Sequence, residues 1–238
     1  MTDPSTSFSE HERRGWLAGE MFTRPIAPTQ APYPSGLEWL DLEGGPAPAV
    51  FVPSTLPAGP VPVMVLLHGA TSNPLPALAL VQDEAERRRF VVVAPKSVGT
   101  TWDVIHGAFG PDVAALDHLL AAVFDHVPAD PVRLAIAGFS DGASYALTLG
   151  LANGVLFPSI LAFSPGFFVP ARRQGWPAIF VSHGRRDPVL PVDQCGRRVV
   201  DALRMAQYDV AYHEFDGGHR VPAEALSAAL DRWLSSPA

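Results

Sequence analysis

The strongest constraint on this chain is a short motif between a strand-like run and a helix-like run. The motif reads Gly138-Phe139-Ser140-Asp141-Gly142, with an apolar run at residues 132–137 before it and a helix-like stretch at 143–151 after it. A chain that passes from strand to helix through one residue strains the backbone of that residue. The flanking positions need glycine, because a side chain there would clash with the neighbouring strand and helix. The pattern predicts a serine hydroxyl held out at the carboxyl end of a sheet.

A nucleophilic serine needs a base, and the base needs an acid that orients it. Where the serine lies on such a turn, the acid and then the histidine follow it along the chain. Asp187 comes directly after a strand-like run at residues 177–184, and His219 follows the alternating strand 210–215 after two glycines. The sequence therefore predicts that three loops at one edge of one sheet bring Ser140, Asp187 and His219 together.

Two other carboxylates compete with Asp187 for the role of the acid. Asp193 falls near the start of the following helix, where a capping or first-turn position accounts for it. Asp216 is too close in sequence to the predicted base to come from a separate strand. Two histidines at strand ends, His68 and His183, are interpreted as structural residues.

The sequence also predicts an oxyanion hole, the backbone N–H groups that stabilise negative charge on the substrate carbonyl oxygen. The most apolar strand of the chain, residues 63–67, leads into His68-Gly69-Ala70. Where a nucleophilic serine lies on such a strand–turn–helix motif, the oxyanion hole is expected to consist of two backbone N–H groups. Here these are the N–H of Ala70 and the N–H of Asp141, directly after the nucleophile. Each such donor is typically worth roughly 10²–10³ in rate. Only the backbone is needed at both positions, so neither side chain argues against the assignment.

The chain contains four motifs in this order: H-G-A at residues 68–70, G-F-S-D-G at 138–142, H-G-R-R-D-P-V-L-P at 183–191 and G-G-H at 217–219. Together they resemble the phospholipase/carboxylesterase family of α/β-hydrolases, over roughly residues 46–235. The resemblance implies hydrolysis of a carboxylic ester or thioester through an acyl-serine, without a cofactor. It makes Ser140 the nucleophile, His219 the base, Asp187 the acid, and Ala70 with Asp141 the oxyanion donors.

One departure from the family pattern leaves the substrate class open. Asp141 stands where the family more often has glutamine, and residues 164–168 suggest a bacterial esterase branch. The alternative is an acyl thioesterase or lysophospholipase that acts on longer acyl chains. A peptidase of the same fold would need a cap domain for which the chain has no room. An inactive binding protein would normally have lost a member of the triad.

Three aromatic residues in loops at the predicted catalytic edge are candidates for the substrate pocket. Trp102 follows the strand-like run 90–94, and it either lines the acyl pocket or packs in the interior. Phe167 and Phe168 are adjacent in the loop after the strand 159–163, so they cannot both face one core. No insertion is long enough for a lid domain. We expect an open, shallow pocket that favours short or aromatic acyl groups.

Composition narrows the remaining function classes. A net charge of −7 without a cluster of basic residues argues against nucleic acid and against an anionic membrane surface. A single cysteine, Cys195, excludes an internal disulfide and a cysteine-based zinc site. No apolar stretch is long enough for a membrane span, and residues 1–20 do not read as a signal peptide. We expect a cytoplasmic enzyme with a small-molecule ester as its partner and no metal or cofactor; a homodimer is left open.

The order of strand-like and helix-like runs predicts one α/β-hydrolase domain at residues 36–238, after a proline-rich lead-in, residues 1–35, with little regular structure. The alternation implies a mostly parallel central sheet with helices on both faces and no separate lid domain. Apolar residues make up 47% of the chain, which is ample for such a core. The predicted strands are 37–42, 49–52, 61–68, 90–94, 132–137, 159–163, 178–183 and 210–215, and the predicted helices are 75–88, 111–126, 143–152, 192–206 and 221–234.

Overall fold

A single, mostly parallel sheet of eight strands runs through the protein. The structure is a computed structural model, and it describes residues 9–41, 47–169 and 172–235. The strands are β1 (Gly36–Trp39), β2 (Ala49–Val52), β3 (Val61–Leu67), β4 (Val91–Ala94), β5 (Ala129–Phe139), β6 (Ser159–Phe163), β7 (Ala178–Gly184) and β8 (Val210–Phe215). They pair in the order β1-β2-β4-β3-β5-β6-β7-β8. Strands β3 to β8 are parallel, and β1 and β2 join the sheet antiparallel to their neighbours.

The central strands are apolar along their whole length because both faces of the sheet are covered. Every residue of β3 and β4 is buried. Successive side chains of β3 point to opposite faces: Val63 and Val65 belong to one hydrophobic core, and Met64 and Leu66 belong to the other. The predicted α/β architecture, with a mostly parallel sheet between two helical layers, is confirmed.

The described residues form six α-helices and one 3₁₀ helix in addition to the strands. They are α1 (Glu10–Leu17), α2 (Pro74–Arg88), the 3₁₀ helix (Asp103–His106), α3 (Pro111–Phe124), α4 (Asp141–Ala152), α5 (Gly196–Met205) and α6 (Ala223–Leu234). Helices α1, α3, α4 and α5 cover one face of the sheet, and α2 and α6 cover the other. Within the described ranges, no helix has the length and apolar character needed to cross a bilayer.

Several predicted element boundaries differ from the structure by a few residues; β5, for example, is Ala129–Phe139 instead of 132–137. Helix α5 begins at Gly196 instead of residue 192, because the preceding turn is closed by bonds from the N–H groups of Gln194 and Cys195 to the carbonyl of Pro191. The first predicted strand extended to Leu42, which lies outside the described residues; β1 itself is Gly36–Trp39.

The described part of the N-terminal lead-in, residues 9–35, is more ordered than the sequence predicts. Residues 1–35 were expected to have little regular structure, yet they contain α1, which starts with a reciprocal capping box between Ser9 and Glu12. The segment is fixed by contacts distant in sequence. The indole N–H of Trp16 and the backbone N–H of Phe22 bond to the buried carboxylate of Asp117 on α3, at 2.9 Å and 3.0 Å. These partners compensate for the low intrinsic helicity of so short a helix.

The parallel strands place their following loops at one edge of the sheet. The carboxyl ends of β3, β4, β5, β6, β7 and β8 lie side by side there. Open α/β sheets bind their ligands at this edge. The residues that follow these strands are therefore the ones from which a functional site can be assembled.

Candidate active site

Ser140 lies at the apex of the turn between β5 and α4. Its backbone is strained, with φ 58° and ψ −121°, a region that side-chain-bearing residues rarely adopt. The turn requires glycine on both sides. A Cβ on Gly138 would lie 2.2 Å from the carbonyl oxygen of Gly142, and a Cβ on Gly142 would lie 2.3 Å from the carbonyl oxygen of Leu67. The backbone is thus held in a shape that presents the serine hydroxyl.

His219 connects Ser140 to Asp187 in a chain of hydrogen bonds. Its Nε2 lies 2.9 Å from Ser140 Oγ, and its Nδ1 lies 2.6 Å from Asp187 Oδ2. A carboxylate only accepts, so the proton of the neutral imidazole belongs on Nδ1, which leaves Nε2 free to accept from the serine hydroxyl. The structure brings together the three side chains that the sequence pointed to.

Asp187 is buried, and its charge is stabilised by N–H groups of its own loop. Oδ1 accepts hydrogen bonds from the backbone of Val189 and Leu190, both at 2.9 Å. Burial favours the neutral acid, but these two N–H groups and His219 outweigh it, so the pKa of Asp187 lies below its ordinary value. The carboxylate that faces His219 is therefore ionised.

The two competing carboxylates lie elsewhere. Asp193 is exposed and pairs with Arg197, one helical turn further along the chain, at 2.5 Å. Asp216 is also exposed and pairs with Arg186 at 3.0 Å. Neither carboxylate is bonded to the imidazole of His219, whereas Asp187 is.

His183 supports the loop that carries the acid. The ring is fully buried, and its Nε2 lies 2.7 Å from the carbonyl oxygen of Leu190 and 3.4 Å from Asp187 Oδ2. Burial lowers the pKa of His183, although the Leu190 carbonyl and the Asp187 charge oppose this shift. A neutral ring that donates from Nε2 satisfies this geometry. His183 thus braces both ends of the turn at residues 187–190.

His68 has a structural environment as well. The ring is buried at the end of β3; its Nε2 accepts from the backbone N–H of Ser97 at 3.1 Å and its Nδ1 donates to the carbonyl of Gly69 at 2.7 Å. Burial lowers the pKa of His68. These bonds tie the loop after β3 to the loop after β4.

The two predicted oxyanion donors flank the serine. Gly69 approaches so closely that a Cβ on it would lie 3.5 Å from the Cβ of Ser140, and Ala70 follows on the exposed side. Asp141 is the first residue of α4, so no carbonyl of its own helix can accept its N–H. The Asp141 carboxylate points to the neighbouring loop, where Oδ2 accepts the hydroxyl hydrogen of Thr101 at 2.8 Å.

Of the three aromatic pocket candidates, Trp102 lies in the interior and does not line a pocket. Its side chain is 1% exposed, its indole N–H donates to the carbonyl of His68 at 2.9 Å, and its ring stacks on Tyr145 at 5.1 Å. The loop after β4 turns inward at this residue, so Trp102 packs in the core. Phe168 is half-buried against the same core, and Phe167 is 38% exposed. Of the three candidates, Phe167 is therefore the one with an exposed side chain at the catalytic edge.

Sequence reasoning missed Ser144, which shapes the loop after β6. Its Oγ accepts the backbone N–H of Gly166 at 3.0 Å, and Leu190 packs against the same glycine. Phe167 is thereby fixed next to the turn that carries Asp187. Ser144 lies one helical turn after Ser140, on the same face of α4. This spacing is the sequence feature that could have indicated that Ser144 lies near the site.

The described residues contain no group of three or more histidine, cysteine, aspartate or glutamate side chains that could hold a metal ion. A hydroxyl, an imidazole and a carboxylate in hydrogen-bonded order can transfer an acyl group, provided that backbone N–H groups donate hydrogen bonds to the carbonyl oxygen when it becomes negative.

Comparison with known proteins agrees with this fold. A family model described as Phospholipase/Carboxylesterase matches residues 113–233. Three solved structures superpose with TM-scores of 0.64, 0.59 and 0.64: esterase PE8 at 24% identity, a phospholipase/carboxylesterase from Dyadobacter fermentans at 18%, and the fluorophosphonate-binding serine hydrolase F of Staphylococcus aureus at 15%. The alignments cover 79%, 87% and 85% of this chain and 96%, 100% and 96% of those chains. No curated protein matches the chain significantly.

Proposed function

We propose that this chain, which belongs to the phospholipase/carboxylesterase family and is a carboxylesterase-type hydrolase, cleaves its esters through an acyl intermediate on Ser140. The observation that carries the proposal is the hydrogen-bonded series of Ser140, His219 and Asp187, with contacts of 2.9 Å and 2.6 Å. The overall reaction converts an ester and water into a carboxylic acid and an alcohol.

In the first half of the reaction, Ser140 Oγ attacks the carbonyl carbon while His219 Nε2 takes the hydroxyl proton. The carbonyl electron pair moves to oxygen, and the N–H groups of Ala70 and Asp141 stabilise the resulting negative charge. The intermediate collapses when the carbon–oxygen bond to the alcohol breaks. His219 gives its proton to the departing alkoxide, and the acyl group remains on Ser140.

In the second half, water takes the position of the alcohol. His219 removes a proton from the water, the hydroxide oxygen bonds to the acyl carbon, and the same two N–H groups donate hydrogen bonds to the negatively charged carbonyl oxygen. Breaking the bond to Ser140 releases the acid, and His219 returns the proton to Oγ. Asp187 stays ionised throughout, holds the proton of the imidazole on Nδ1 and stabilises the cation that forms twice in each cycle.

Short or aromatic acyl groups fit the catalytic edge best. Phe167 is an aromatic side chain exposed there, Val98 and Val189 are exposed in neighbouring loops, and Leu190 lies beside the same loop as Phe167. An added methylene contributes about 0.8 kcal/mol only while it remains buried against such a surface. We therefore expect kcat/KM to be highest for acyl chains between acetate and hexanoate.

A series of p-nitrophenyl esters from acetate to palmitate, with acyl-CoA thioesters beside it, tests the proposal. The expected result is hydrolysis that peaks at short chains and is absent in Ser140→Ala. A maximum at palmitate, or faster cleavage of acyl-CoA, would favour the thioesterase alternative. The cytoplasmic location and the homodimer are further proposals, tested by cell fractionation and by sedimentation.

A further inference from the structure

A groove with both polar and apolar lining lies beside the predicted oxyanion hole. It has a volume of about 480 Å³, within the range of small-molecule sites. We call it the Lys96 groove, and it is lined by Thr71, Ser72, Lys96, Val98, Gly99 and Thr100. One wall is the loop after β3, where Thr71 and Ser72 come directly after Ala70. The other wall is the loop after β4. The groove therefore opens at the catalytic edge, on the side of the serine from which β3 and β4 arrive.

The two walls of the groove are joined to each other and to the nucleophile turn. The N–H of Thr71 donates to the carbonyl of Thr100 at 2.8 Å, across the base of the two loops. The next residue, Thr101, donates to the carboxylate of Asp141 at 2.8 Å. A group that sits in the groove is thus held by the same loops that position both oxyanion donors.

Lys96 is the only lysine of the chain, which otherwise uses sixteen arginines for its basic residues. Its ammonium donates to three neutral oxygens of the groove loop: the carbonyl of Ser97 at 3.1 Å, the hydroxyl of Ser97 at 3.0 Å and the carbonyl of Gly99 at 3.2 Å. A compact ammonium with three donors suits this task better than a planar guanidinium. Lys96 therefore fixes the shape of the loop that ends at Thr100.

The lining chemistry favours neutral hydroxyl groups over an anion. All three ammonium protons of Lys96 already have acceptors, and the buried Asp112 carboxylate offsets part of its charge. Two other polar groups stay available: in the described part of the chain, the hydroxyls of Ser72 and Thr100 bond to no protein atom. A hydroxyl can both donate to and accept from such groups, whereas a carboxylate or phosphate can only accept.

We propose that the Lys96 groove is a subsite for a neutral, hydroxylated part of the substrate, so that the preferred esters carry a free hydroxyl near the scissile bond. The hydroxyl belongs either to the alcohol half, as in a glycerol ester, or to the acyl half, as in a hydroxy acid. The proposal rests on the hydrolytic role proposed for Ser140, and it narrows the substrate class of that site.

The test compares small esters with the same acyl chain length in the full-length protein. Initial rates for ethyl butyrate, glycerol monobutyrate and ethyl 3-hydroxybutyrate are measured by pH-stat titration. One hydrogen bond contributes a factor of roughly 2 to 10. With two hydroxyls in the groove, one of the two hydroxylated esters is expected to exceed ethyl butyrate by about tenfold in kcat/KM. Which of them does so identifies the half of the ester that enters the groove.

Removal of the two available hydroxyls should abolish this preference. In the double variant Ser72→Ala/Thr100→Val, the ratio of kcat/KM between the hydroxylated ester and ethyl butyrate should fall to below about threefold. The single variants should give intermediate ratios, and they serve if the double variant is unstable. Thr55→Val is the matched control: Thr55 is exposed in the loop before β3, at the opposite edge of the sheet, and its ratio should equal that of the wild type.

Three outcomes would overturn the subsite: equal rates for all three esters, a preference for the anionic monoethyl succinate, or a tenfold preference that survives in the double variant. Hydrolysis of p-nitrophenyl acetate separates this failure from a failure of the proposed function. If the wild type cleaves that ester and shows no hydroxyl preference, only the subsite is wrong. If it cleaves none of these esters, the role of Ser140 is wrong.

Discussion

Thr101 donates its hydroxyl hydrogen to the carboxylate of Asp141 over 2.8 Å, and this bond joins the loop after β4 to the first residue of the nucleophile helix. Thr101 is buried, and Asp141 supplies one of the two proposed oxyanion N–H groups. The side chain that departs from the family's usual glutamine thus anchors the backbone that the chemistry needs. The anchor gives the first prediction.

Thr101→Val keeps the shape of the side chain and removes the hydrogen bond to a charged acceptor. We expect kcat for p-nitrophenyl acetate to fall about tenfold with little change in KM, because the N–H of Asp141 acts mainly on the transition state. Asp141→Ala should lose a similar amount, and the double variant should lose no more than either single variant. Additive losses would mean that the two side chains act independently.

Ser140→Ala should lose roughly 10⁴–10⁶ of kcat while the protein stays folded, since the members of a triad act as a unit. A fluorophosphonate probe should label the wild type at Ser140 alone, as read by peptide mass spectrometry. Labelling that persists in Ser140→Ala would show that another residue is the nucleophile.

The depressed pKa of Asp187 predicts the shape of the acid limb of the pH profile. A carboxylate whose pKa is lowered on folding stays ionised until the pH falls below its ordinary range, so Asp187 should take up no proton of its own while activity is lost on acidification. A plot of log kcat/KM against pH should therefore have a limiting slope of one. A slope of two would show that Asp187 is protonated together with His219.

Glu214 on β8 should contribute pH-dependent stability. Its carboxylate pairs with Arg197 at 2.7 Å and with Arg185 at 3.2 Å, and the Arg197 guanidinium, against the effect of burial, lowers the pKa of Glu214 to about 2. The folded pKa lies below the unfolded one, so the stabilisation is complete above about pH 4.3 and is lost as the pH falls toward 2. Glu214→Gln should lower the thermal unfolding temperature at pH 7 and leave it unchanged near pH 2. Glu38→Gln, at a half-buried position on β1, is the control.

Phe167 and Phe168 should respond differently to truncation. Phe167→Ala should lower kcat/KM for hexanoate more than for acetate, because only the longer chain reaches that side chain. Phe168→Ala should lower the unfolding temperature and affect all esters alike, since Phe168 packs on the core. An unchanged chain-length profile in Phe167→Ala would remove Phe167 from the pocket.

The sequence predicted those parts of the site whose signals are local. The turn at Ser140 is defined by glycines two residues on either side, and Asp187 and His219 each follow a strand-like run directly. Parallel strands place such residues at one edge whatever the details of their packing. For that reason three motifs far apart in the chain could be assigned to one place.

The misses have a different origin, because they depend on contacts distant in sequence. Trp102 turns inward since its indole N–H meets a carbonyl that is 34 residues earlier in the chain. Helix α1 is anchored by a bond from Trp16 to Asp117, over 101 residues. No local pattern indicates either partner. The sequence of an aromatic residue in a loop, or of a short polar helix, is the same whether or not a distant partner binds it.

The order of the catalytic residues along the chain has a consequence for synthesis on the ribosome. Ser140 precedes its proposed base by 79 residues, and the base follows β8, the last strand of the sheet. A nascent polypeptide can complete the strained turn at Ser140 while its imidazole and carboxylate partners have yet to be translated. The hydroxyl is then chemically silent, and reactivity arises only when the outermost strand docks. Activity therefore requires a complete sheet. A chain whose translation stops before β8 hydrolyses no esters.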